Sequence, residues 1–457
     1  MEVRHSASIR DSDFDRLKDI GALNSCLPQF VKAHSICKRS VAGLDSDFAM
    51  EYPKIRAVEV FPVEQQNQTL ICLRDPSGLA PEPVALGIGA YFIVTLFDGR
   101  KSLTDIQAAF AERFNEILTR EKLDELIDAL DRAYFLESAA FRERALRVRE
   151  EFLATPERPA ALAGLCYEKD PGKLRLELAA FFDPPEGPGR VPMARKSTSL
   201  AGLIAPHIDP RRGAAAYAHA YLELMAHEPP ELVVILGTSH YGAGPELFSA
   251  TRKNYATPFG AIQTDTAFID RLAARYQGDL FADEILHRGE HSIEFQALFL
   301  AYALGTRGFQ VVPILVSSFH EMVGSGITPV RDPRVASFVA ALKAALEGER
   351  RRVLILAGVD FAHVGKKFGD AFAADASVAE RIQREDLGLI EQIKRGDPDG
   401  FFTDVVKDRD ARRICGLSPM YTQLELLRGH SARLLKYGIA MEPQTESAVS
   451  FASLAID

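Results

Sequence analysis

From about residue 160 onward, short apolar runs are separated by longer amphipathic or alanine-rich stretches. The runs "LAGLIAP", "ELVVILGTS", "FQVVPILVSS" and "RRVLILAGVD" have strand length and almost no polar interruption. Apolar strands interleaved with helices predict an α/β fold, a mainly parallel sheet flanked by helices that cover both faces. Residues 53–140 follow another pattern: two extended pieces, "AVEVFPV" and "TLICLRD", then three helical segments, "PVALGIGAYFIVTLF", "SLTDIQAAFAERF" and "TREKLDELIDALDRAYFLES". The second helix opens on Ser102, Thr104, Asp105 and Gln107, side chains able to cap free backbone N–H groups. The third follows Thr119 and places apolar residues at 123, 126, 127, 130 and 134 on one face. This order predicts a small winged-helix-like unit.

The chain therefore divides into a weakly periodic leader (1–50), the winged-helix unit (51–140), a helix running into a linker (141–160) and the α/β domain (161–457). Met50 opens the structured part, and residues 1–49 are expected to be loosely packed or non-native. A Pro- and Gly-rich stretch, 184–199, marks a second break.

Composition narrows the function. A net charge of −9 and a pI near 5.8 argue against a nucleic-acid surface, as do the 13 basic and 16 acidic residues of 53–150. The longest apolar stretch, "GIGAYFIVTLF", falls short of the roughly 20 residues a membrane helix needs. Cys26, Cys37, Cys72, Cys166 and Cys415 are scattered, odd in number and free of CxxC pairs, which fits a reducing cytoplasm rather than a disulfide framework.

Three of the apolar strands end in groups able to bind metal. "GLIAPHIDP" delivers His207, "LVVILGTSHYG" delivers His240, and "LILAGVDFAHVG" delivers Asp360 and His363. Ligands of open α/β sheets sit beyond the carboxyl ends of the strands, so neighbouring tips would converge. Cys415 precedes a helix containing Pro419, and a helix N-terminus favours a thiolate. In "RGEHSIEFQALF", His291 and Glu294 are three apart on one helix face, beside Glu290. Taken singly, each has a plain reading: Cys415 as a small buried hydrophobe, Asp360 as a cap, Glu290 as a solvated first-turn acid. His287 and His320 are read as structural, and His219, His227 and His430 as surface or core residues.

Together these segments carry a resemblance. "LIAPHIDP", "ILGTSH", "EHSIEFQ", "GVDFAHVG" and "ICGLSP", in that order, resemble the signature segments of the Memo family, whose prokaryotic members are called AmmeMemoRadiSam system protein B. The resemblance covers about 160–457 and implies a fold similar to class III extradiol dioxygenases. It implies His207, His240 and Cys415 as metal ligands, with Asp360, His363 and His291 as catalytic pocket residues and His363 at the position of an acid/base histidine. The chain departs from the family pattern at "PHIDP", at Ser239–Tyr241 and at "CGLSP", and Asp209 adds a candidate carboxylate. "AYFIVTLFDGRKSLTDIQAAFAERF" with "LIDALDRAYFLES" resembles PqqD-like domains, which implies peptide recruitment.

A two-histidine, one-carboxylate set favours Fe(II) and O₂ chemistry, whereas thiolate in place of the carboxylate moves the preference toward softer ions such as Cu(I) or Zn; iron or copper is favoured over zinc. Met420 near Cys415 superficially suggests blue copper but is expected in the core. The reading is a cytoplasmic, metal-dependent oxidase- or oxygenase-like protein acting on a small molecule or peptide, with radical-SAM and AMMECR-like partners implied by the family name. The alternative is a non-catalytic peptide- or protein-binding adaptor using a vestigial cleft. A zinc hydrolase with Glu290 or Glu294 as base ranks below both, since HExxH is absent.

Overall fold

The structure is a computed structural model and describes residues 50–65, 68–189, 196–242 and 244–457. Except for Met50, the expected leader lies outside the described residues, as does part of the 184–199 break. The chain separates into two compact units after Glu151, inside the segment read as a linker.

In the first unit, β1 (Glu59–Gln65), β2 (Gln68–Arg74) and β3 (Val84–Leu86) form an antiparallel sheet in that order. Helices Ile88–Thr95, Leu103–Phe114 and Arg120–Arg132 follow. Ser102 and Asp105 form a reciprocal capping box at the second, and Leu123, Leu126, Ile127 and Leu130 of the third enter the core. Two boundaries differ from expectation. Val84–Leu86 pairs with β2 instead of opening the first helix. The third helix stops at Arg132, and Tyr134 turns the chain with φ 64° so that Leu136 bridges Ile55.

In the second unit the four expected strands are β5 (Gly202–Ala205), β6 (Leu232–Thr238), β10 (Gln310–Val316) and β11 (Val353–Gly358). They lie side by side in the order β5-β11-β6-β10, all parallel. Successive residues alternate between two core clusters: Leu232, Val234 and Leu236 join one, Val233 and Ile235 the other. Helices on both faces complete those cores, which is why the strands are apolar throughout. The sheet is mixed rather than purely parallel. The short β7 (Phe248–Ala250) pairs antiparallel with β10, and a C-terminal hairpin of β13 (Ala432–Glu442) and β14 (Ser447–Ile456) adds β14 antiparallel to β5. β12 (His363–Gly365) pairs with β14 at the far edge. A separate small sheet combines β4 (Glu157–Arg158), β8 (Asn254–Thr257) and β9 (Gly260–Ile262).

Two glycines decide how close a helix can come to the strand tips. Gly237 of β6 and Gly358 of β11 are partners in register, and both lie beneath the first turns of the helix His291–Leu304. A Cβ on Gly358 would sit 2.5 Å from the carbonyl oxygen of Ser292 and 2.8 Å from Gln296 Cγ. Gly358→Ala is therefore expected to cost about 1–3 kcal/mol through overpacking against backbone that cannot yield. A urea denaturation midpoint equal to that of the parent would refute this close-approach role.

Candidate metal centre

The strand ends build the site directly. His207, His240 and Asp360 are each the second residue beyond β5, β6 and β11, and β11 lies between the other two. The tips therefore present two imidazoles with a carboxylate between them. The glycine-permitted approach of the helix His291–Leu304 brings its first residue into the same space. The result is a cluster in which one ligand atom each from His207, His240 and His291 lies within 4.8 Å of the others. Ring centroids are 5.0 Å apart for His207–His240, 5.1 Å for His207–His291 and 4.7 Å for His240–His291.

Hydrogen bonds decide which nitrogens face inward. His207 Nδ1 is 3.0 Å from the carbonyl of Gly358, and His240 Nδ1 is 3.0 Å from Glu290 Oε1. His291 Nδ1 is 3.1 Å from the same Glu290 oxygen. A carbonyl or an ionised carboxylate only accepts, so each Nδ1 carries a proton and Nε2 is the nitrogen left to bind an ion. Three imidazoles oriented by acceptors behind them fit a transition-metal ion, and such supporting bonds fix the ring and raise its basicity.

Glu290 is the hub of this arrangement. It is the N-cap residue of the His291 helix, is 1% exposed, and accepts from the backbone N–H groups of His240, His291 and Ser292 as well as from the two imidazoles. Burial alone would raise its carboxyl, but His240 and His291 outweigh burial and hold it well below the usual range. Burial likewise opposes charge on His240, and the Glu290 carboxylate reverses this and raises the imidazole. The reading of Glu290 as a solvated acid is thus corrected: an acid flanked by so many donors is stable inside. Glu294 does not share the pocket with His291. It turns to Arg158, to Tyr167 Oη at 2.5 Å and to the backbone N–H of Leu162.

Cys415 Sγ lies 3.2 Å from His207 Nε2, the nitrogen opposite the Nδ1 that is bonded to Gly358. The chain there is tied to β11 by Gly416 N–H donating to the Asp360 carbonyl at 3.1 Å. The expected helix-favoured thiolate is not what the surroundings produce. Burial first, then the nearby Asp360 charge, push the Cys415 thiol well above its ordinary value. A cation beside Sγ is what would reverse that balance.

Asp360 Oδ1 accepts from His207 N–H at 3.0 Å, and Oδ2 is 3.6 Å from His207 Nε2. Burial raises its carboxyl to about 7. His363 opens β12, and its Nδ1 donates to the Phe361 carbonyl at 3.1 Å, leaving Nε2 available beside Phe368. Burial, then the charge of His240, lower it to about 4.

Several other candidates fall outside the cluster. Met420 is fully buried in the core. Asp209 caps its own turn through Arg211 N–H. His287 bridges Tyr255 Oη and the Ser249 carbonyl. Arg158 was not singled out by the sequence at all, because it sits in a stretch that reads as linker.

Comparison with known proteins agrees with this architecture. Residues 158–455 match the family described as Memo-like protein. A MEMO1 family protein of Aquifex aeolicus is 28% identical over 405 residues, covering 88% of this chain and 99% of its own length. A MEMO1 family protein of Thermus thermophilus is 30% identical over 356 residues, covering 78% of this chain and 99% of its own. One from Methanopyrus kandleri is 32% identical over 246 residues, 52% of this chain and 80% of its own. No helix among the described residues is long and apolar enough to cross a membrane.

Proposed function

The chain belongs to the Memo-like family, and from that premise we propose that it is a metal-dependent redox protein of oxidase or oxygenase type acting on a small molecule or peptide. The observation that carries this reading is the convergence of His207, His240 and His291 with every Nδ1 engaged behind them. In this reading His207 and His240 hold the ion, His291 and Cys415 stand within reach of it, and the thiol biases the site toward softer ions such as Cu(I) or Zn, so the preference for iron or copper rests on the redox reading. Such an ion supplies one-electron chemistry and open positions for O₂ or substrate.

The protein's own groups handle protons. Asp360, with its carboxyl near 7, takes up or releases a proton at neutral pH beside His207. His363 is neutral at that pH and offers Nε2 as a hydrogen-bond acceptor to a bound molecule. The N-terminal unit, PqqD-like in its sequence pattern, is assigned to peptide recruitment. The outer edge of β1, which among the described residues pairs only with β2, supports that role.

Anaerobic loading with Fe(II), Cu(I) or Zn(II), followed by desalting and elemental analysis, tests the reading. One equivalent per chain is expected, with O₂ uptake after admission of air and a reductant for iron or copper but not for zinc. Retention of no metal under any of the three conditions sinks the proposal. Retention without O₂ uptake removes its redox half.

A further inference from the structure

The turn that carries Glu290 and His291 is fastened from outside the main sheet by the side chain of Arg158. Arg158, in the two-residue strand β4, is fully buried. Its Nε donates to the His287 carbonyl at 2.9 Å, Nη2 to the Glu290 carbonyl at 2.8 Å, and Nη1 to the Pro159 carbonyl at 2.8 Å and to the Glu294 carboxylate. The planar guanidinium thus grips the segment before, at and after the residue on which two of the three imidazoles depend. A lysine, with one compact ammonium, cannot reproduce that fork.

A buried ion pair alone is weak evidence for anything beyond packing. Here two of the bonds go to backbone carbonyls of the site-bearing segment, and one of those carbonyls belongs to Glu290 itself. Glu290 has little tolerance for displacement, because one carboxylate meets His240 Nδ1 at 3.0 Å and His291 Nδ1 at 3.1 Å at the same time. We propose that Arg158 is a positioning residue for the metal centre, fixing the Glu290 backbone so that this carboxylate can orient both histidines. The proposal rests on the metal-binding reading given above.

Full-length wild type, Arg158→Lys, Arg158→Met and Tyr167→Phe separate positioning from general stability. Tyr167→Phe removes a bond to Glu294 in the same buried network and leaves the Glu290 carbonyl untouched. Two readouts are taken: Co(II) titration followed by its visible spectrum, and, in metal-free protein, the imidazole ¹⁵N shifts of His240 and His291, which report the tautomer. Arg158→Lys and Arg158→Met are expected to bind Co(II) about 10–100-fold more weakly, the usual cost of disturbing the groups behind a ligand. They are also expected to shift the Co(II) bands and lose the uniform Nδ1–H pattern, while Tyr167→Phe keeps both. Should Arg158→Met fail to fold, Arg158→Lys carries the test.

Wild-type affinity, spectrum and tautomers in the Arg158 variants would overturn the proposal. So would equal changes in Tyr167→Phe, which would mean that general loosening is responsible. If the wild type takes up no Co(II), the metal reading itself fails. The tautomer comparison then decides the role of Arg158 alone: loss of the Nδ1–H pattern in Arg158→Lys supports positioning of Glu290, and retention refutes it.

Discussion

Glu290→Gln is expected to weaken metal binding at the three-histidine cluster by about 10–100-fold, the scale found when a group orienting a ligand is lost. The reason lies in what the two oxygens do. Oε1 accepts from His291 N–H at 2.8 Å, Ser292 N–H at 3.1 Å and the imidazoles of His240 and His291. Oε2 accepts from His240 N–H at 3.0 Å. A glutamine offers one oxygen and one NH₂, so either orientation points a donor at a donor. The unmade bonds add about 1–3 kcal/mol of instability. Loss of the carboxylate also removes what now raises His240, so burial makes that ring a poorer base. Competition titration against a chelator of known affinity measures the first effect, and urea denaturation of metal-free protein the second. Affinity unchanged from wild type would show that Glu290 merely caps its helix.

The parts of this molecule that could be read from sequence are those set by local pattern. The four parallel strands are apolar because helices cover both faces, and the same strings carry His207, His240 and Asp360 just past their ends. Their convergence then follows from strand adjacency alone. The C-terminal hairpin was not legible in the same way: "ARLLKYGIAME" mixes polar and apolar residues, and most of β13 is only half-buried. Glu290 was misjudged because the stability of a buried acid depends on donors brought from residue 240 as well as from its own helix. Cys415 shows the converse. Its place before a helix predicts an activated thiolate, yet burial and Asp360 decide otherwise, and neither is visible in the string "ICGLSP". Arg158 is least legible of all, since nothing in "TPERPAA" says that a linker arginine will be swallowed whole.

His287→Gln is expected to change the pH dependence of stability without touching the metal cluster. His287 is fully buried, with Nδ1 2.8 Å from Tyr255 Oη and Nε2 3.0 Å from the Ser249 carbonyl. The neutral ring satisfies both partners by accepting from the hydroxyl and donating to the carbonyl. A protonated ring would confront the hydroxyl with a second donor, and burial holds the group down at about 3. The unfolded imidazole titrates near 6.5, so between these values the unfolded chain binds the extra proton. Stability from this residue is complete above about 6.5 and is lost as pH falls toward 3, at about 1.4 kcal/mol per unit. Asp360 works in the opposite sense. Its carboxyl, raised to about 7, binds a proton in the folded state that the unfolded chain has released, so its contribution falls as pH rises from about 4 to 7. The profile of the whole protein mixes these signs, and the difference between variant and parent isolates His287. Glutamine can accept from Tyr255 and donate to Ser249 at any pH. Urea denaturation of the metal-free proteins at pH 7.5 and pH 4.5 is therefore expected to move that difference by about 2–3 kcal/mol in favour of the variant at the lower pH. A difference independent of pH would mean that His287 is protonated equally in both states, and that its two buried bonds do not set its charge.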